Sequence, residues 1–323
     1  MCVLREKSSV PGIENRGRFI KPCPGTPDYV CCGYMIIDFA RGCTLGCTYC
    51  ILSYYFNDKT PVFFTNREKL FRELENFLEE RPDLHRFGTG EFTDSLLFEK
   101  IAPLYFTLIP YISSRSNAIL EIKTKTTFIE NLLRIRERRN IIVGWSLNTD
   151  YITLHEERGA AKTKERINAA RMIEEEGYKL SFHFDPIVWY EGWEDGYKRT
   201  IDILFNSVDP KSVVYISMGA LRFFPNMKRE LDRMGAIYTG GEFIRGIDGK
   251  MRYFRPIRTM MYRSVLSFLK NYISEDNIYL CMESPDVWQD VFNIKDMSSG
   301  KLKRRLDNLC IKNFPHFSGT AGE

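Results

Sequence analysis

Arg41-Gly42-Cys43-Thr44-Leu45-Gly46-Cys47-Thr48-Tyr49-Cys50 sets three cysteines at the spacing C-x3-C-x2-C, directly after the apolar run 34–40. That run reads as a buried strand, so the cysteines occupy the loop that leaves its end. Three thiolates on so short a loop can converge on one soft metal centre, and iron–sulfur clusters are held by cysteine thiolates. A four-iron cluster with three protein ligands keeps one iron open for another molecule. The other use of such a loop is a zinc site, with Cys31, Cys32 or a histidine as fourth ligand. Zinc sites more usually pair one C-x2-C with a second, and no second C-x2-C occurs in the chain.

Working outward, the 323 residues suffice for one large α/β barrel-type domain or two smaller ones. Hydrophobic residues at 44% and charged residues at 27% are ordinary for a soluble globular protein. An aromatic content of 14% suits a large core or a cavity that stacks flat ligands. The net charge of +4 is too small to demand a nucleic-acid partner by itself. No apolar run approaches the ~18 residues of a membrane span, and the N-terminus lacks the apolar stretch of a signal peptide. A cytoplasmic protein with no membrane partner is expected. Nine cysteines then argue for reduced thiols and metal work rather than disulfides. Besides the loop there are Cys2, Cys23, Cys31, Cys32, Cys281 and Cys310, which read as small buried hydrophobes. Cys23 with Cys31 and Cys32 comes nearest to a second cluster and is not assigned as one.

Along the chain, residues 1–30 are rich in Pro, Gly and charge and read as an irregular arm. Strands are expected at 34–40, 85–88, 119–124, 141–148, 179–186 and 212–218. Helices are expected between them at 66–80 (capped by Asn66), 95–113 (kinked or broken by Pro103 and Pro110), 127–138, 162–176 and 193–205. This alternation is that of right-handed βαβ units, hence an α/β fold with a parallel sheet and its chemistry at the strand C-termini. The core is placed at 31–222. Residues 223–323 read as an extension closing the barrel, with helices at 226–235 and 257–272, a glycine-rich loop at 240–249, a strand at 278–281 and a helix near Val287. The tail after Lys312 reads as disordered.

The cysteine spacing, with the aromatic Tyr49 just before the third cysteine, resembles the radical S-adenosylmethionine (SAM) superfamily. The resemblance implies a partial (β/α)6 TIM-type barrel, which the count of six strands matches, plus a C-terminal α/β extension. It implies a [4Fe-4S] cluster on Cys43, Cys47 and Cys50, with SAM chelated to the open iron and cleaved to a 5′-deoxyadenosyl radical that abstracts hydrogen from substrate. A flavodoxin or ferredoxin-type electron donor would be usual. Gly88-Thr89-Gly90-Glu91 resembles the Gly-Gly-Glu element that grips the SAM amino group; glycines there let backbone approach a ligand, and Glu91 can hold an ammonium.

Trp145-Ser146-Leu147-Asn148-Thr149-Asp150-Tyr151, the run 164–170, and Pro186-Ile187 followed by Glu191-Gly192-Trp193-Glu194-Asp195-Gly196-Tyr197 narrow this further. Over about 35–220 the chain resembles spore photoproduct lyases, which implies a DNA-repair lyase acting on a DNA or nucleotide substrate. Carried over by position, Lys125 and Ser146 match SAM contacts, Tyr49 the aromatic beside the adenine, and Glu191 with Trp193 the loop after the fifth strand. One departure stands out. That family carries a cysteine after the second strand that returns a hydrogen atom to the thymine radical, and here Glu91-Phe92-Thr93-Asp94-Ser95 puts Phe92 in its place. No cysteine lies between Cys50 and Cys281. Either a tyrosine or Cys281 supplies the hydrogen, or the substrate is another one (an RNA base, peptide or metabolite). A zinc-stabilised nucleic-acid-binding protein is the non-enzymatic alternative. Of three basic runs, at 134–139, 227–233 and 301–305, the third has four cations in five residues and is the best nucleic-acid candidate.

Overall fold

The computed structural model describes residues 10–56, 58 and 60–317. Its centre is one eight-stranded sheet: β1 Ile20–Pro22, β2 Met35–Ile37, β3 His85–Gly88, β4 Ala118–Thr124, β5 Ile141–Ser146, β6 Lys179–Ile187, β7 Val213–Ala220 and β8 Ile278–Leu280. Spatial order equals chain order, β2 to β8 are mutually parallel, and β1 runs antiparallel at the edge. This is the parallel sheet expected from the alternation and the partial barrel that the resemblance implied, with a seventh parallel strand from the C-terminal segment. A bridge between Val30 and Glu283 joins the chain beyond β8 to the N-terminal segment.

Period-two patterning decides what each strand face does. On β6, Leu180, Phe182 and Phe184 are fully buried, while Ser181, His183 and Asp185 alternate with them. The same alternation gives Glu121 and Lys123 on β4 and Tyr215 and Ser217 on β7. Apolar residues of the first set belong to a single core that extends to Phe317 and includes the C-terminal helices. The polar set converges on the barrel interior. Burying a Leu or Phe side chain stabilises by about 1.5–3 kcal/mol, so a register slip that exchanged the two faces would be prohibitive.

Several expected elements shift, each for a local reason. The helix Arg67–Glu79 buries Leu70, Leu74 and Leu78 as its periodicity requires, but Asn66 makes no capping bond, and its Oδ1 accepts from the Asn15 backbone (2.9 Å) instead. The stretch 95–113 breaks at Pro103 as expected and is helical only over Tyr105–Ser113, which contains Pro110. Pro103 cannot continue a helix through that point, and the Glu99 carboxylate takes the Leu104 N–H at 2.7 Å. At 127–138 only Glu130–Leu133 is helical. Before it the Trp145 indole takes the Thr126 carbonyl (3.0 Å), and at its end the Leu132 carbonyl accepts from both the Tyr178 hydroxyl (2.8 Å) and the Ile135 N–H (3.2 Å), a tightened last turn. Asp150–Glu156 is an unexpected helix, capped by the Thr149 hydroxyl. Within the arm, Gly12–Ile13 pairs with Val62–Phe64, and within the glycine-rich loop Phe243–Arg245 pairs with Met251–Tyr253.

The tail expected to be disordered after Lys312 is ordered as far as Phe317, and it continues the segment that carries the basic run 301–305. Both belong to the helix Ser299–Asn313, followed by a turn Pro315–Phe317. The helix buries Leu302, Leu306 and Leu309; two of its cations, Lys303 and Arg305, bond within the fold, while Lys301 and Arg304 are exposed. Lys303 pairs with Asp307 at 2.7 Å, and Arg305 donates to the carbonyls of Glu275, Asp276 and Ile278. The tail beyond Phe317, like Cys2, lies outside the described residues.

Candidate active site

The cysteine loop leaves the barrel through the short strand Ala40–Arg41 and turns at Gly42 and Gly46, with φ of +79° and +63°. Side chains rarely tolerate that region, and at Gly42 a Cβ would also press on the Pro61 backbone at 2.9 Å. Two neighbouring segments hold the loop. On one side the Phe92 carbonyl accepts from Gly42 N–H (2.9 Å) and the Thr93 hydroxyl donates to the Gly42 carbonyl (2.7 Å). On the other, Thr48 N–H donates to the Glu156 carbonyl (2.9 Å) and Gly159 N–H to the Leu45 carbonyl (2.7 Å). This second clamp comes from a segment more than 100 residues further along the chain.

Behind the loop lies a closed ionic knot. Glu157 accepts from Lys125 at 2.9 Å, from Arg166 and from the Tyr49 hydroxyl, and Lys125 also reaches that hydroxyl at 3.1 Å. The side chains of Glu157 and Arg166 have no exposure. Burial opposes a charged carboxylate, but the Lys125 and Arg166 cations outweigh it and hold Glu157 at about 2. Tyr49 and Lys125 therefore meet each other, and both are anchored by Glu157 and Arg166, which the sequence reading did not single out. Burial pushes the Cys43 thiol up to about 12 and raises Cys47 and Cys50 too, while Lys125 pulls the latter two back. Among the described residues no three His, Cys, Asp or Glu side chains surround a single ion position.

Beside the loop, at the C-terminal ends of the strands, opens a cavity of about 210 Å³. Glu91, Lys123 and Ser146 line it, together with Ile51 and Tyr55 from just beyond the cysteines. Glu91 and Lys123 pair at 2.5 Å, each about a quarter exposed. Burial pushes the Glu91 carboxyl up, yet Lys123 leaves it below its ordinary value. Gly88 and Gly90 are absent from the lining. A Cβ at Gly88 would strike the Tyr34 ring, and one at Gly90 the Lys123 Cβ at 2.9 Å, so their smallness admits neighbouring side chains.

The interior carries a second polar assembly that sequence reasoning missed. His183 lies between Glu121 (2.9 Å) and Ser217 (2.7 Å), and Ser181 donates to Glu121 at 2.5 Å. Gly144 lets this network cross β5, since a Cβ there would collide with Ser181 Oγ. Burial disfavours the Glu121 charge, but His183 and Ser181 bring it to about 2. Asp185 pairs with Arg222 at 2.9 Å on the same cavity wall. The signal was present as alternation within Ser181-Phe182-His183-Phe184-Asp185. Trp193 is buried and begins the helix Trp193–Phe205, stacked on Trp189; neither it nor Glu191 is among the cavity-lining residues.

The sequence model of spore photoproduct lyase matches residues 30–231. The spore photoproduct lyase of Bacillus subtilis (strain 168) is 24% identical over 257 residues, covering 75% of this chain and 74% of that protein. That of Geobacillus sp. (strain Y412MC61) is 28% identical over 163 residues, 50% of this chain and 48% of the relative. Among solved structures, a doubly substituted spore photoproduct lyase with bound AdoMet and dinucleoside spore photoproduct superposes with a TM-score of 0.71 at 22% identity, covering 84% of this chain and 81% of that one. The likeness confirms the partial barrel.

Proposed function

The chain belongs to the spore photoproduct lyase family, a family of radical SAM enzymes, and on that footing we propose that it repairs a thymine-dimer lesion in DNA. The observation that carries the reading is positional: the three-cysteine loop sits beside a polar cavity at the C-terminal mouth of a parallel partial barrel, where such folds place their chemistry. Cys43, Cys47 and Cys50 would hold a [4Fe-4S] cluster. Three free thiols on one clamped loop are soft ligands of the kind that hold iron–sulfur clusters, and the Lys125 cation lies within electrostatic range of Cys47 and Cys50. When bound, cluster and SAM supply a 5′-deoxyadenosyl radical.

The chain's own groups do the positioning. Glu91 is the carboxylate for the SAM amino group; Lys123 balances its charge in the free enzyme and is exposed enough to yield to a ligand. Ser146 offers a hydroxyl at the end of β5. Lys125 and Tyr49, tied to Glu157, fix the outer flank of the cysteine loop so that its thiols keep one geometry. The Asp185–Arg222 and Glu121–His183 pairs give the cavity wall donors and acceptors in pairs, which suits the alternating N–H and C=O edge of a thymine. Tyr55 at the rim is 47% exposed and stacks on Phe92, a flat surface of the kind that carries a nucleobase. A flavodoxin or ferredoxin would deliver the electron.

The deciding experiment is anaerobic turnover of reconstituted protein with SAM, a reductant and a synthetic dinucleoside spore photoproduct, following repaired dinucleoside and 5′-deoxyadenosine together. Both products are expected. Deoxyadenosine without repair would retain the radical chemistry and reject the lesion as substrate, and neither product from iron-loaded protein would reject the enzyme reading.

A further inference from the structure

Four thiols outside the cysteine loop line the cavity: Cys23, Cys31, Cys32 and Cys281. They come from the N-terminal segment and from the end of β8, at opposite ends of the chain. Cys281 is placed by strand geometry. Its N–H continues the β8 ladder to the Met218 carbonyl (2.8 Å), and alternation from Tyr279 turns its side chain to the interior. Arg222 fixes it further, with Nη2 at 3.8 Å from Sγ and Nη1 at 3.4 Å from the Cys281 carbonyl, while the same guanidinium binds Asp185. Glu91, Lys123 and Asp185 all lie within electrostatic range of this sulfur.

A carbon radical left in this cavity needs a hydrogen atom to become a stable product. Thiols and tyrosine phenols have far weaker X–H bonds than the O–H of serine or the C–H of an aliphatic group, and of the two the thiol passes its hydrogen to a carbon radical faster. A thiolate has no hydrogen to give. Burial and the Asp185 carboxylate push the Cys281 thiol well above its ordinary value against the pull of Arg222, so it stays protonated. Phe92, by contrast, stacks on Tyr55 (6.1 Å between centroids) with Lys21 over its face, and is not among the cavity-lining residues.

The geometry points to Cys281 as the hydrogen-atom donor of this enzyme, acting from the β8 wall of the cavity. This rests on the proposed radical reaction. The step is product radical plus Cys281 S–H giving product C–H plus a Cys281 thiyl. One electron from the reductant that feeds the enzyme and one proton from solvent then restore the thiol.

The test is turnover in D2O of the iron-loaded wild type and of the Cys281→Ser and Cys281→Ala variants, with the dinucleoside spore photoproduct. The thiol exchanges with solvent, so wild-type product should carry one deuterium at the quenched carbon. Both variants should still form 5′-deoxyadenosine, while repaired product per deoxyadenosine falls at least tenfold and unquenched by-products rise. Serine keeps the size and polarity of the position, which separates loss of the S–H from loss of shape. A second readout needs no turnover: in protein without cluster, the dinucleoside should slow alkylation of Cys281 by iodoacetamide at least threefold, read by peptide mass spectrometry. Unchanged deuterated product from Cys281→Ser overturns the assignment. So does loss of deuterium in Tyr34→Phe or Tyr279→Phe alone, which would make a cavity tyrosine the donor. Absence of deoxyadenosine from the wild type rejects the underlying reaction itself, a result distinct from either.

Discussion

Glu157 and Glu91 each meet a lysine at hydrogen-bond distance, at 2.9 and 2.5 Å, yet the two pairs have opposite characters. Glu157 has no exposed side-chain surface, and two cations and a phenol share it. Glu91 is 23% exposed, its lysine 26%, and both face an open cavity. A closed ion pair cannot exchange partners without leaving a bare charge in the interior, so it acts as scaffold. A half-open pair can trade its lysine for a ligand at small cost. The comparison separates the flank that shapes the cysteine loop from the wall that meets what binds.

The sharpest way to test that division is to remove what the scaffold serves. Cys43→Ala, Cys47→Ala and Cys50→Ala should each lose at least nine-tenths of reconstituted iron and the broad absorbance near 400 nm, with far-ultraviolet circular dichroism unchanged. Full iron in any one variant would detach the loop from the cluster. Next in size, Glu157→Gln strands Lys125 and Arg166 and should destabilise the apo protein by about 3–5 kcal/mol in urea unfolding. Glu91→Gln should cost under about 1 kcal/mol while weakening SAM binding to the loaded protein at least fivefold. Equal destabilisation by the two would erase the distinction.

Acid titration sharpens it further. The Glu157 carboxyl sits at about 2 in the folded chain against an ordinary 4.5. A depressed acid contributes stability above the unfolded pKa and loses it as pH falls toward the folded one, here from about 4.5 down to 2. That contribution is about 3 kcal/mol at 1.36 per unit. The wild-type advantage over Glu157→Gln should therefore be complete at pH 7 and shrink steadily below pH 4.5 in urea midpoints. Smallest of all, Lys301→Ala with Arg304→Ala should change affinity for a DNA oligonucleotide by less than twofold at fixed salt. A larger loss would return the C-terminal helix to the candidate nucleic-acid surfaces.

Local signals carried much of the architecture. The leucines of Arg67–Glu79 and the apolar runs of β5 and β6 named their elements because burial leaves a period in the sequence. They failed where a distant side chain claimed a local backbone group. Asn66 lost its capping role to Asn15, and the Thr126 carbonyl went to Trp145. Within the basic run 301–305 the sequence does not show that Arg305 satisfies three carbonyls and Lys303 pairs with Asp307, while Lys301 and Arg304 stay exposed.

The three-cysteine spacing and the βαβ alternation were legible in the chain itself, because cysteine spacing and hydrophobic period are properties of neighbours in sequence. That Glu157 and Arg166 would brace Tyr49, that Ser181, His183 and Asp185 would gather on the interior face shared with Glu91, and that β8 would bring Cys281 there were decided by tertiary structure. Each of those meetings depends on closing loops of tens to hundreds of residues, and the free energy that closes them comes from burying the whole core.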